Sequence, residues 1–549
     1  MKNWAIANLN KDNATAMAQK FDLPLSVSML LDIRGINKEE DIDSFFSEEP
    51  YIFDPFTLID MDKAVARIHK ALDDFEKICI FGDYDADGVT STALLYSHLE
   101  TLSADVMYYI PNRETEGYGM NMSAIDFINS QNVSLIITVD NGVSANEEID
   151  YAKSLGIDTV VTDHHMPSGD LPNAVAVVNP HRNDCPSKYK DLAGVGVTLK
   201  LVMALEGEEN SYDVLENYAD LVAIGTIGDI VPLKSENRSL VKLGLQKIMN
   251  TERPGIAALL NESGLYNKKL TAGNIAFSVV PRLNAVGRLA LSEKSVRLLL
   301  SEDPDESSII AKELSVNNSE RQSIEKDIQQ KILDIIRQNP ALLINRIIVV
   351  PSENIHPGVI GIVASRIRDI FDKPVIIISE DGEICKGSGR SVTGFSLSDA
   401  LFSCSSLLEH HGGHPMAIGL SIKKENIPLF TEKINEYAKI VYKDFMPEMV
   451  IDCKLNPSVL STQMAHEITL LEPFGQANAK PLYGLYNMKL ISINEIGQGK
   501  HLKLTFSRNE TRITAMYFFM TKSEFSFQIN DETDLAVTID VNVYNGIEN

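Results

Sequence analysis

Three aspartates at alternate positions, Asp83, Asp85 and Asp87, close the apolar run Ile78-Cys79-Ile80-Phe81, and they are the side chains best placed to do chemistry. Carboxylates crowded at the end of a strand repel one another, which raises their pKa values and costs stability unless a positive charge sits among them. A hard divalent cation, which prefers oxygen donors, is the simplest compensator. Similar groups recur further on: Asp140 before Asn141-Gly142, His164 and His165 after Asp163, and Asp229 in Gly228-Asp229-Ile230-Val231-Pro232-Leu233. An oxygen-rich set with one or two imidazoles suits Mn²⁺ or Mg²⁺ better than a dedicated zinc site. The number of carboxylates suggests two ions sharing one bridging ligand. Such a pair can activate a water and hold a phosphoryl group for in-line attack, so the reaction class is metal-assisted hydrolysis of a phosphate ester. No protein nucleophile is called for: Ser91 and the five cysteines have no motif-assigned base beside them.

These groups need a frame. Short runs rich in Val and Ile at 77–81, 106–110, 135–139, 159–162 and 174–178 alternate with helical stretches, the signature of a parallel sheet covered on both faces. Ligands bind beyond the carboxyl ends of such strands. The three aspartates follow the first run, Asp140 the third and His164-His165 the fourth, while Asp229 follows the apolar stretch 221–227. All are therefore expected on one edge of one sheet. A charged segment, 306–338, with apolar residues at helical spacing and a stop at Asn339-Pro340, predicts a long helix bridging two domains.

A second domain is expected from a strand at 346–350. It carries three glycine-rich turns: His356-Pro357-Gly358, Gly387-Ser388-Gly389-Arg390 and His410-His411-Gly412-Gly413-His414. Turns of this kind let backbone N–H groups approach an anion, and Arg or His adds charge, so together they predict phosphate or substrate binding. From about residue 448 short alternating runs replace helices, which reads as a small β-barrel or sandwich, either an OB fold or a packing module. The first fifty residues read as a helical extension without chemistry. The expected division is 1–50, 51–250, 251–340, 341–445 and 446–549.

Composition sets bounds. The chain has 549 residues, enough for several domains, and 44% apolar residues. No apolar run is long enough to span a membrane, and Met1-Lys2-Asn3-Trp4 does not begin a signal-peptide pattern. Five cysteines without Cys-x-x-Cys point to reduced thiols in a cytoplasm and away from a cysteine zinc site. The net charge of -26 counts against a nucleic-acid partner unless a local basic groove exists.

Phe81-Gly82-Asp83-Tyr84-Asp85-Ala86-Asp87-Gly88, Asp140-Asn141-Gly142, Asp163-His164-His165 and Gly228-Asp229 together resemble the DHH phosphoesterase superfamily. Pro281-Arg282-Leu283-Asn284-Ala285-Val286-Gly287-Arg288, His356-Pro357-Gly358-Val359-Ile360-Gly361, Gly412-Gly413-His414-Pro415 and Pro473-Phe474-Gly475-Gln476 narrow it: the chain resembles the RecJ family of bacterial single-strand-specific exonucleases over most of its length. The resemblance implies an α/β protein with a parallel-sheet DHH domain, a long connecting helix, a DHHA1 α/β domain and a C-terminal OB-like β-barrel. It implies two Mn²⁺ or Mg²⁺ ions and degradation of single-stranded DNA from the 5′ end, in repair and recombination. Single-strand-binding protein and a RecQ-type helicase are the implied partners.

Carried over by position, one ion falls to Asp83, Asp85 and Asp140, and the other to Asp87, Asp140, His164 and Asp229. His165 contacts the scissile phosphate. Arg113, Ser388 and Arg390 read a 5′ phosphate, and Arg282, Asn284, Arg288 and His414 line the cleft. A channel one strand wide excludes duplex by shape, with Tyr84 and Tyr118 either stacking on bases or packing inside the protein. The family's last β-module usually continues with another strand, so a trimmed OB fold is expected. The competing expectation is a DHH–DHHA1 phosphodiesterase for short oligoribonucleotides or cyclic dinucleotides; the long helix and the C-terminal module argue against it.

Overall fold

The computed structural model describes residues 3–112, 116–117, 119–167, 169–287, 292–441, 448–544 and 547–548. Arg113, Tyr118 and Arg288 lie outside the described residues. The contacts divide the chain into two units, Phe53–Val231 with Leu243–Phe445, and Met1–Ile52 with Pro232–Lys242 and Met446–Asn549.

In the first unit the apolar runs form the expected parallel sheet. Its strands are β1 (Ile78–Phe81), β2 (Val106–Tyr109), β3 (Leu135–Val139), β4 (Asp158–Thr162) and β5 (Ala176–Val178), in the spatial order β2-β1-β3-β4-β5. Every residue of β1 and β3 is buried, as helices on both faces require. Three helices serve the site: α1 (Ala86–Thr101), α2 (Gly194–Glu206) and α3 (Ser211–Gly228), which pack on one another. They come close because glycine stands at the contacts. A Cβ on Gly225 of α3 would lie 2.3 Å from Thr90 Oγ1 of α1 and 2.9 Å from Asp87 Oδ1.

The bridging helix exists as α4 (Pro304–Gln338), 35 residues long, with Asp303 accepting from Asp305 N at 2.9 Å as its N-cap and Pro304 opening its first turn. Its far end contributes Ile328, Ile332 and Ile336 to a core with Ile348, Val350, Val363 and Ile367. Its middle buries polar groups instead: Arg321 donates to Glu325 at 3.0 Å and to Asn318 at 3.0 Å, and Arg366 also pairs with Glu325. That core belongs to a mixed five-stranded sheet of β6 (Ile348–Ser352), β7 (Val375–Ser379), β8 (Ile384–Arg390), β9 (Leu408–His414) and β10 (Ala417–Lys423), ordered β9-β10-β8-β7-β6. Helix α5 (Ile360–Phe371) packs against β7 and β8.

Two of the three expected glycine-rich turns are strands. Gly387-Ser388-Gly389-Arg390 is the end of β8, and His410 to His414 lie in β9, exposed along one edge. Only His356-Pro357-Gly358 is a turn, leading into α5.

The second unit holds a five-stranded antiparallel-rich sheet around the long strand Tyr483–Ile496. That strand pairs with His501–Arg508 and with Glu532–Val537, and its two register shifts curl the sheet into an OB-like half-barrel. Leu485, Leu490, Leu502 and Phe506 fill it. The N-terminal extension is not wholly helical. Asn3–Ile6 is a strand paired in parallel with Glu448–Ile451, ahead of three helices. Arg238 stacks over Phe45 at 3.6 Å and donates to the carbonyls of Phe45, Leu471 and Glu472. Among the described residues no helix is long and apolar enough to cross a membrane, and all five cysteines are free and buried.

Candidate metal centre

Each ligand arrives by a local device. Asp85 caps α1: one oxygen, Oδ1, accepts from Asp87 N at 3.0 Å and Gly88 N at 3.1 Å. Asp140 sits beyond β3 with φ of +63°, a left-handed conformation that Asp tolerates better than most residues. Asn141 secures that turn by donating to Phe81 O at 3.2 Å and Val139 O at 2.9 Å. Asp163 follows β4 and accepts from His164 N at 2.7 Å, His165 N at 3.0 Å and Val143 N at 2.9 Å. Asp229 differs from expectation: residues 221–227 form the buried end of α3, so this carboxylate comes off a helix C-terminus and not off the sheet edge.

The predicted ligands converge. Ligand atoms of Asp83, Asp85 and Asp140 lie within 4.8 Å of one another, and so do those of Asp87, His164 and Asp229. His164 Nε2 is 3.1 Å from Asp140 Oδ1, 3.6 Å from Asp229 Oδ2 and 3.9 Å from Asp87 Oδ2, so Asp140 adjoins both groups. Asp87 also accepts from Gly194 N at 2.6 Å and Val195 N at 2.8 Å, where the first turn of α2 presents its donors and positive dipole end.

Burial and mutual repulsion dominate the electrostatics. Burial, then Asp229 and Asp85, push Asp87 well above the carboxylate range; burial, then Asp87, Asp85 and Asp83, do the same to Asp140. Burial and Asp85 raise Asp229 to about 7. Burial and the neighbouring His165 lower His164 to about 3, leaving it a neutral imidazole with a lone pair to give. Carboxylates held this close, with one neutral imidazole among them, are a donor set short of positive charge. They fit a pair of hard divalent cations.

His165 adjoins the same centre, its ligand atom within 4.8 Å of those of Asp140 and His164, but it is more exposed. Its Nδ1 lies 2.7 Å from Asp163 Oδ1; burial pulls its pKa down, but that bond together with the charges of Asp163, Asp229 and Asp87 raises it to about 9. Asn179 donates to the carbonyl of His165 at 2.9 Å, and His181 bonds the carbonyl of His164. Sequence reasoning named neither Asn179 nor His181, nor the positioning role of Asp163. Only Asp163 carried a signal, an aspartate two residues before His165 where an Asx turn can form. Asp163→Asn is expected to keep the fold and lower Mn²⁺-supported turnover about 10- to 100-fold, the usual cost of losing a hydrogen-bond partner behind a site residue. Steady-state kinetics check it.

The other predicted contacts divide. Arg282 donates to Ser315 Oγ at 2.9 Å, to Glu262 O at 3.1 Å and to Ser278 O, which makes it an internal tie between helices. Asn284 Oδ1 is buried with no hydrogen bond among the described residues. His414 is exposed at the end of β9. Ser388 and Arg390 come together, 3.1 Å apart, beneath the start of α5: a Cβ on Gly361 would lie 3.0 Å from Ser388 Oγ and from Arg390 Nη2.

Residues 77–226 match the DHH family N-terminal domain, 340–440 the DHHA1 domain and 451–549 the RecJ OB domain. The single-stranded-DNA-specific exonuclease RecJ of Bacillus subtilis is 38% identical over 94% of this chain, which spans 65% of that relative's length. The Escherichia coli protein of the same name is 36% identical over 81% of this chain and 80% of its own length. The crystal structure of Thermus thermophilus RecJ with Mn²⁺ superposes with a TM-score of 0.86 at 31% identity, covering all of this chain and 78% of that one; its Mg²⁺ form gives 0.79 at 29%, covering all of this chain and 77% of that one.

Proposed function

Because the chain belongs to the RecJ family, we propose that it is a two-metal 5′-to-3′ exonuclease hydrolysing the phosphodiester bonds of single-stranded DNA. The observation that carries this reading is the pair of adjoining donor groups that meet at Asp140. Asp83, Asp85 and Asp140 would hold one Mn²⁺ or Mg²⁺, and Asp87, Asp140, His164 and Asp229 the other. The ions would supply the positive charge that activates water and stabilises the phosphoryl transition state. The protein's own part is to hold the carboxylates in place through α1, α2 and the Asp140 turn. His165, held by Asp163 and partly exposed, would touch the scissile phosphate. This contact, the helix N-termini and the ions would offset the acidity of the chain where a phosphate would lie.

Ser388, Arg390 and the N-terminus of α5 would bind the 5′ phosphate, with Arg113 as the fourth member proposed from sequence position. Arg390→Ala is then expected to cost about tenfold in kcat/KM on 5′-phosphorylated DNA, the size of one charge-assisted hydrogen bond, and little on 5′-hydroxyl DNA. Equal losses on both would remove the end pocket. A cytoplasmic location and partnership with single-strand-binding protein and a RecQ-type helicase belong to the same reading.

The deciding experiment is a polarity assay with end-labelled single-stranded and duplex DNA in Mn²⁺. A 5′ label should leave as nucleotides at the outset and duplex should resist. Release of the 3′ label first, or cleavage confined to very short RNA, would overturn the proposal.

A further inference from the structure

We propose that Ile230 is a substrate contact, its side chain forming the apolar face on which the sugar and base beside the scissile phosphate rest. The inference rests on the nuclease reading and adds a residue to it. Ile230 directly follows Asp229, and its φ is +61°. That is the left-handed region, which a β-branched side chain resists. The conformation itself has a plain cause. Asp229 N bonds Gly225 O at 2.9 Å and Ile230 N bonds Ile227 O at 3.3 Å, so Ile230 is the reversing residue after helix α3, a position that glycine fills at no steric cost.

Burial among the described residues does little to repay the isoleucine side chain, since Ile230 is 69% exposed. Its location gives it a use. The Asp229 side chain is 26% exposed and that of His165 37%, whereas Asp87 and Asp140 are 1% and 3% exposed, so the centre opens to solvent on the side of Asp229 and His165. A nucleotide entering there sends its phosphate to the cations. Its sugar and base, apolar on their faces, are left beside Ile230. Such a contact reads no hydrogen-bonding edge, which suits an enzyme indifferent to sequence.

The test compares Ile230→Gly and Ile230→Ala with the unaltered chain in three measurements: Mn²⁺ binding by calorimetry, melting temperature, and steady-state cleavage of 5′-phosphorylated single-stranded DNA. The expected result is Mn²⁺ affinity within about twofold, a melting point no lower for the glycine variant, and KM raised about fivefold or more in both variants. Unchanged KM in both would overturn the proposal. So would a loss of Mn²⁺ affinity in step with activity, because the backbone at 230 would then be positioning Asp229. Failure of the unaltered chain to cleave DNA would instead defeat the nuclease reading, which separates the two ideas.

Discussion

Replacing Asp140 by alanine should abolish cleavage, by on the order of 10³-fold or more, about 4 kcal/mol of transition-state stabilisation. Asp140 is the group that adjoins both donor sets, so its loss removes a ligand from each proposed ion at once. On the fold the substitution has two opposed effects: alanine fits the left-handed backbone at 140 less well than aspartate, but it relieves repulsion. It deletes a buried carboxylate that Asp87, Asp85 and Asp83 already repel. In chelator the variant is therefore expected to melt close to the unaltered chain, and Mn²⁺ should raise its melting temperature less, because stabilisation by a ligand follows its affinity for the native state. Quenched single-turnover assays and thermal melts with and without Mn²⁺ read both halves. Full activity in the variant would take Asp140 out of the centre.

This dual expectation depends on groups that differ in how openly the sequence declares them. Asp83, Asp85 and Asp87 were legible because a fully buried strand must be an apolar run and a turn into a helix must carry capping residues. Asp140 and His164 follow the same grammar. Asp229 is expected from the sequence at the sheet edge, whereas it follows a helix. Residues 221–227 are buried all round the helix, so the 3.6-residue period that would have betrayed a helix is absent.

Gly387 and Gly389 were read as a turn, yet each lies within β8 for want of room: a Cβ would come 2.8 Å from Leu420 Cδ1 and 2.7 Å from Ile418 Cγ1. Glycine that permits close packing and glycine that permits a turn look alike in a sequence. The strand Asn3–Ile6 was missed because its partner lies near the opposite end of the chain, and four residues alone hold too little pattern. Asn179, His181 and Gly194 act through backbone carbonyls or by lacking a side chain. No local motif announces either.

Gly194 shows how large such a silent role should be. It opens α2, where alanine would ordinarily strengthen a helix by roughly 1 kcal/mol. Here a Cβ would stand 2.6 Å from both Cβ and Oδ1 of Asp140. Neither side has room to yield. Gly194 N is bonded to Asp87 at 2.6 Å, and Asp140 N to Thr162 O at 3.1 Å. Gly194→Ala should therefore displace Asp140 or Asp87. Overpacking of this kind costs about 1–3 kcal/mol, which cancels or exceeds the helix gain. A shift approaching 1 Å in a reacting group costs about 10²-fold in rate, so turnover should fall by that order with weakened Mn²⁺ binding. Gly196→Ala is the control in the same helix: the nearest atoms to its Cβ are those of the Leu192 side chain, Cδ2 at 3.1 Å, none of them in the donor groups, and activity should stay near that of the unaltered chain. Equal turnover in the two variants would mean that α2 does not hold the Asp87–Asp140 geometry.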